Sequence, residues 1–297
     1  MVALLAIFCC FLWGSAFPSV KTGYRLFQIA SDDTASVLLF AGIRFTGAGV
    51  MVLIAGSILQ KKVLLLKKEE LLPILKVSSI QTVLQYVLFY IGLAHASGIT
   101  SSIMEASNVF LAILVAALIF HTETLDRAKI LGCILGFIGV ILVNLNGESL
   151  TFHMALNGEG FVFLSALSYA FSSVMIKHYG QTINPVVISG WQFFFGGLVM
   201  TLLGAVLGGS LNATVPYAYL LLTYMCFISA AAYTVWGILL KYNDISTVSI
   251  YGFTNPMFGV ILSAIILKEQ GSFGILTMIA LLFVCAGIYF VNGKKSK

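Results

Sequence analysis

Charge is scarce in this sequence. Aspartate, glutamate, lysine and arginine make up 9% of its 297 residues, where an ordinary soluble domain has about a quarter, and 60% are hydrophobic. A globule of this size always leaves a large area facing water, so it cannot hide that much apolar surface. A soluble fold is excluded, and lipid is the natural solvent. The net charge of +5 comes from basic residues scattered through short segments, which excludes a nucleic-acid partner. Five cysteines (Cys9, Cys10, Cys133, Cys226, Cys285) fall inside apolar stretches without ligand-like spacing and read as small buried hydrophobes. Four histidines (His95, His121, His153, His178) stand far apart at or beyond the ends of apolar runs, so no metal site is expected. No phosphate-binding loop, nucleophile constellation or metal-ligand pattern is present, and no cofactor is implied. The longest connections, 21–33 and 145–157, have thirteen residues each and leave no room between spans for a soluble domain.

What remains is a series of apolar runs. Crossing the hydrocarbon core takes about 20 apolar residues in a helix. Such runs predict spans over Val2–Val20, Thr34–Leu59, Leu71–Ala94, Gly98–Phe120 and Ala128–Asn144. A second set covers Gly158–Ile176, Pro185–Leu207, Pro216–Leu240, Ile245–Leu267 and Ser272–Asn292. The expected fold is therefore an all-α membrane protein of ten transmembrane helices in a lipid bilayer. Pro73, Pro185 and Pro216 fall at or near predicted helix starts, where a missing amide proton is harmless. Pro18 and Pro256 lie inside spans and predict kinks.

Basic residues set the orientation. With the N-terminus in the cytoplasm, inside segments hold twelve lysines and arginines and outside segments three, with Arg44 inside a span. This predicts a multi-pass protein of the cell membrane with both termini cytoplasmic. The first span lacks a basic leader and is read as a retained helix, not a signal peptide.

The chain also repeats itself. Ala16-Phe17-Pro18-Ser19-Val20 matches Ala170-Phe171-Ser172-Ser173-Val174, and Gly42-Ile43-Arg44-Phe45 matches Gly190-Trp191-Gln192-Phe193. Ser107-Asn108 matches Thr254-Asn255, and Gly139–Asn144 matches Gly287–Asn292. The offsets are 154, 148, 147 and 148 residues, about half the chain each time. Two units follow, 1–148 and 157–297, each with five helices. An odd number sends the second unit into the membrane from the opposite side. Inverted repeats of this kind build two gates around one central site.

With these features the chain resembles the EamA branch of the drug/metabolite transporter superfamily across essentially its whole length. The resemblance rests on Leu12-Trp13-Gly14-Ser15-Ala16-Phe17, the small-residue run Ala94–Ser102, Ile119-Phe120-His121-Thr122-Glu123, Gly132 and Gly136–Asn144. In the second half, Asn255-Pro256 and Lys268-Glu269 fit the family's proline-then-acidic pattern, while Val109 stands where the first half would carry a proline. The resemblance implies a ten-helix exporter of metabolites, often amino acids and related compounds. It also implies a central cavity between the third, fourth, eighth and ninth helices, with the first and sixth.

Only Arg44 and Glu105 are charged and well away from predicted span ends. A charge at mid-helix costs about 2.5–3.5 kcal/mol on insertion scales, so each needs a partner or a wet cavity. Their depths differ by about 5 Å, which allows a structural ion pair as well as contact with a charged substrate or a proton. On the fourth span Ser101, Glu105 and Asn108 share one helix face, as do Gln81 and Gln85 on the third. Tyr86 and Tyr90 form an adjacent i, i+4 pair. The sixth span carries Ser165, Ser168 and Ser172, flanked by Tyr169; the eighth carries Ser229, Tyr233 and Trp236. Serines of this kind most often serve helix packing. Trp13, Tyr169 and Tyr233 sit too deep for interfacial anchors. The candidate substrate-binding residues are Trp13, Arg44, Gln81, Gln85, Glu105, Asn108, Tyr169, Tyr233 and Asn255. Glu123 and Glu269, closing the fourth and ninth spans, read as interfacial capping or gate residues. Glycine groups around Gly42, Gly47 and Gly49, and Gly132, Gly136 and Gly139, predict close helix crossings.

The reading favoured is a secondary transporter that moves a small-molecule substrate, with an amino acid or related compound as leading class, out of the cell by alternating access. An integral-membrane enzyme would show clustered acids and histidines, and a passive channel would not need moving gates. A homodimer is left open.

Overall fold

The structure, a computed structural model, describes residues 1–30, 32–95, 98–144, 155–267 and 275–292. Helices account for the regular structure among them, in ten continuous segments. These are α1 (Val2–Leu26), α2 (Thr34–Leu59), α3 (Lys68–Val77, Ser78–Leu84 and Gln85–His95 end to end) and α4 (Gly98–Leu114 with Val115–Ile119). There follow α5 (Arg127–Asn144), α6 (Leu156–Gly160 with Phe161–Tyr179), α7 (Pro185–Val206) and α8 (Tyr217–Tyr242). Last come α9 (Ile245–Ser249, Ile250–Phe253 and Thr254–Leu267) and α10 (Ile275–Asn292). Among the described residues six helices are long and apolar enough to cross a membrane: Val2–Leu26, Thr34–Leu59, Lys68–Gly92, Leu156–Tyr179, Pro185–Val206 and Tyr217–Tyr242. Met104–Ile119 and Met278–Asn292 are shorter apolar helices. The chain is a multi-pass membrane protein.

Polar residues mark where several helices begin. The Asp33 carboxylate accepts from the Ser36 amide at 3.0 Å, opening α2. Asn184 Oδ1 accepts from the Val186 amide at 3.0 Å, with Pro185 in the first helical position of α7. Glu70 reaches back to the Lys67 amide at 3.1 Å and draws the start of α3 out to Lys68. That start corrects the sequence reading of Pro73, which stands inside the helix and not at its beginning. α1 continues to Leu26, past the expected end at Val20, and carries Pro18 within it. α9 is interrupted by a tighter turn at Ile250–Phe253 just before Pro256, whose ring nitrogen has no proton to continue the ladder. α4, with Val109 where the family's proline would fall, runs unbroken from Gly98 to Leu114.

Small residues bring the helices together, as their grouping in the sequence suggests. A Cβ on Gly49 of α2 would lie 2.5 Å from the Phe194 nitrogen and 2.7 Å from the Gly190 carbonyl oxygen of α7. On α5, a Cβ at Gly139 would lie 2.8 Å from the Ala280 carbonyl oxygen of α10. These crossings come in related pairs. Gly49 against Phe194 has its counterpart in Gly197 against Thr46, and Gly139 against Val284 in Gly287 against Gly136. Both correspondences are generated by one offset of 148 residues. The helix pairs follow the same rule: α1 packs on α8 and α9, as α6 packs on α3 and α4.

Connections from alternate helices meet at a common face of the bundle. Asn184 Nδ2 donates to Gln60 Oε1 at 2.8 Å, joining the connection after α6 to the one after α2. Gln181 Nε2 donates to the Lys241 carbonyl at 3.0 Å, joining it to the end of α8. Lys61, Lys62, Lys67, Arg127, Lys129, Lys177 and Lys241 all stand at this basic face. At the opposite face the Thr214 amide donates to the Leu26 carbonyl at 2.9 Å, and the Ser210 amide to Ser36 Oγ at 2.9 Å.

Candidate functional site

The polar interior is built on two charges that do not meet. Among the described residues no ion pair joins Arg44 and Glu105, so the structural pairing that their depths allowed is not formed. Arg44, buried on α2, donates from Nε to Ser229 Oγ at 3.1 Å and to the Met225 carbonyl at 3.3 Å, both on α8. Its guanidinium carbon lies 5.2 Å from the centre of the Phe45 ring. Arg44 is thus a buried cation without an acidic partner among the described residues.

Glu105, on α4, is similarly short of partners. Its Oε1 accepts from Asn108 Nδ2 at 3.3 Å, one helical turn along, and its buried Oε2 has no protein partner. Tyr233, on α8, is buried. Its hydroxyl is hydrogen-bonded to that of Tyr86 on α3. Tyr86 and Tyr233 are 147 residues apart, the same spacing as between Ser107-Asn108 and Thr254-Asn255. Around Tyr233 are the rings of Trp13 at 5.0 Å and Phe193 at 5.0 Å, and Trp13 also meets Trp236 at 4.9 Å.

Several of these side chains keep bonding capacity unused. Trp13 Nε1, Gln85 Oε1, Glu105 Oε2, Trp236 Nε1 and Asn255 Oδ1 are buried without a protein partner. Such groups are expensive in an apolar interior unless water or a ligand reaches them. Gln81 is different. Its Oε1 accepts from Gln192 Nε2 at 2.8 Å, and its Nε2 donates to Ser172 Oγ at 3.2 Å. Thr82 donates to Gln192 Oε1 at 2.8 Å, and Ser78 to the Gln192 carbonyl at 2.8 Å. This closed network ties the widened middle of α3 to α6 and α7. Ser168 adds a further tie, donating to the Ile80 carbonyl at 2.7 Å, as packing serines do.

The structure gathers Trp13, Tyr86 and Tyr233, with Arg44 reaching them through Phe45; it joins Glu105 to Asn108 on α4, buries Tyr169 on α6, and sets Gln81 in the closed network. Asn255 lies on α9, which touches α4 where a Cβ on Gly252 would fall 2.8 Å from Val109 Cγ2. Gly252 stands 147 residues after Glu105, and Val109 occupies the room a side chain there would need. Tyr86, Tyr24, Phe45 and Phe193 were not among the sequence candidates. The signal for Tyr86 was available, since its spacing from Tyr233 equals the repeat offset. The side chain of Ser101 lies outside the described residues, as do Lys268 and Glu269.

Apolar helices enclosing unspent polar groups and buried charges define a polytopic membrane protein with a polar interior. The chain belongs to the EamA-like transporter family, whose description matches residues 1–145 and 156–293. It is 27% identical over 296 residues to the uncharacterized transporter YvbV of Bacillus subtilis (strain 168), covering 98% of this chain and 92% of that one. It is 25% identical to the uncharacterized transporter sll0355 of Synechocystis sp., covering 96% and 88%. A WAT1-related chloroplastic protein of Arabidopsis thaliana is 26% identical over 66% of this chain and 48% of its own. A crystal structure of a protein 15% identical superimposes with a TM-score of 0.78 over 100% of this chain and 99% of that one, a likeness of fold.

Proposed function

We propose that this chain is a secondary carrier, not an enzyme, exporting a small amphipathic metabolite, with amino acids and related compounds as the leading class. The observation that carries the reading is the separation of Arg44 from Glu105. Each buried charge lacks an opposite charge from the protein, and an amino acid brings both: a carboxylate for the guanidinium, an ammonium for Glu105 Oε2. Trp13, Trp236 and Tyr233 offer an aromatic wall for its side chain. Gln85, Asn108 and Asn255 supply polar atoms around it, with Tyr169 of α6 as a further candidate.

Alternating access follows from reading 1–148 and 157–297 as inverted repeats. Support comes from contacts that recur at the repeat offset. Arg44 to Ser229 and Gln192 to Thr82 are the same contact made once from each half, and Tyr86 meets Tyr233 where the halves face one another. Two related halves can exchange their conformations and so open either face in turn. Basic residues collected at one face favour a cell-membrane orientation with that face and both termini cytoplasmic.

Purified protein in liposomes tests the function. Saturable counterflow of a labelled amino acid or amine is expected, and Glu105→Gln should abolish it with insertion intact. Ohmic current in its place would support the channel alternative, and no saturable flux for any compound would refute the carrier.

A further inference from the structure

The N-terminus of α9 takes its cap from the segment that follows α4. Asp244 stands at the cap position, yet its side chain makes no cap bond there and lies 3.8 Å from Lys177 Nζ. The carboxylate that receives the α9 amides is Glu123, beyond the end of α4. It accepts from Ile245 and, through both oxygens, from Ser246 at 3.3 Å. Lys129 of α5 steadies it, with Nζ 3.0 Å from Glu123 Oε2 and 2.7 Å from the Thr124 carbonyl. The Glu123 side chain is 3% exposed, so the clasp is built into the basic face and is not a loose surface pair. One turn below it, Ser249 is buried on α9. α4, α5 and α9 are thereby joined at one point of this face.

A helix start has amides with no partner inside the helix, and an acidic cap satisfies them and favours the dipole. Pulling α9 away from Glu123 with nothing in exchange would strand those amides. Here a second carboxylate already occupies the position from which a helix is normally capped. We propose that the basic face opens by an exchange of caps: Glu123 releases the α9 amides, and Asp244 leaves Lys177 and takes them over. Lys129 stays with Glu123, so neither carboxylate is left without a donor. The two arrangements then have similar bonding, the condition for a carrier to populate both states. The proposal rests on the carrier reading, for which it supplies the moving part at this face.

The test is thiol labelling of a Ser249→Cys reporter in protein lacking the five native cysteines, with an impermeant reagent on the basic-face side of membrane vesicles. A cap of this type shifts an equilibrium by roughly tenfold. Glu123→Ala should therefore speed labelling about tenfold, because the shut arrangement loses its cap. Asp244→Ala should slow it by a similar factor, because the open arrangement loses its own. Opposite signs are the signature, since a purely structural clasp would loosen in both variants. Labelling in Asp244→Ala as fast as in the parent, or unchanged in Glu123→Ala, overturns the exchange. Where Glu123→Ala does not fold, Glu123→Gln, which keeps an accepting oxygen, should give an intermediate rate, and a parental rate overturns the exchange. The labelling needs no cargo, so it is decided independently of whether any solute is transported.

Discussion

Replacing Gly49 by alanine tests whether the α2–α7 crossing holds the two halves together. The added carbon would sit 2.5 Å from the Phe194 nitrogen, where ordinary contact begins at 3.4 Å, an overlap of 3.4 − 2.5 = 0.9 Å. Both facing atoms, the Phe194 nitrogen and the Gly190 carbonyl oxygen, are backbone and cannot rotate aside. The helices must part by most of an ångström along the crossing, which loosens neighbouring contacts as well. Overpacking of this degree costs about 1–3 kcal/mol. At a few degrees per kcal/mol for a chain of this size, the melting temperature should fall by roughly 3–10 °C. Gly237→Ala is the control, because its nearest neighbour, Ile176 Cγ2, is 3.6 Å away. Alanine there should leave stability unchanged or raise it by up to about 1 kcal/mol through helix propensity. Thermal unfolding in detergent, followed by thiol exposure, reads both. Gly49→Ala within a degree of the parent, or an equal fall in Gly237→Ala, would refute the packing argument.

Three further outcomes are expected. Removing both charges in Arg44→Gln/Glu105→Gln should not rescue counterflow lost in Glu105→Gln, because the two groups do not pair; full rescue would show that they do in the working protein. Tyr86→Phe and Tyr233→Phe each break the same hydrogen bond, so transport in the double variant should be no weaker than in the weaker single variant, and additive losses would count against the bond. Cysteines at Lys61 and Asn212 should label from opposite sides of the membrane, Lys61 from the cytoplasm; labelling of both from one side would break the topology.

The helix order was readable because crossing lipid demands length and apolarity, and those are linear properties of a chain. The end of α1 at Leu26 was not, because Lys21, Tyr24 and Arg25 are tolerated once a helix leaves the hydrocarbon. The start of α3 was missed for a local reason: Glu70 caps Lys67, three residues ahead of the apolar run. At the site, polar residues inside spans could be picked out one by one, but their partners could not. Gln81 and Gln85 share a helix face in the sequence, yet Gln81 ends in a closed network and Gln85 keeps an unpartnered oxygen. What divides them is Gln192, more than a hundred residues away. Arg44 and Glu105 likewise matched in depth, while their positions around the bundle axis depended on how the helices pack.

The bond between Tyr86 and Tyr233 bears on ancestry. Under the two-repeat reading, a half-length ancestor pairing with its own copy would bring this position opposite itself. One substitution would then have supplied donor and acceptor together. Arg44 and Glu105 allow no such origin, since a self-paired ancestor would have carried each charge twice, and the modern counterparts are Gln192 and Gly252. Under the same reading their asymmetry arose only after the two copies had become separate sequences. The scaffold would then be older than the chemistry it carries, and relatives sharing the tyrosine pair need not share a cargo.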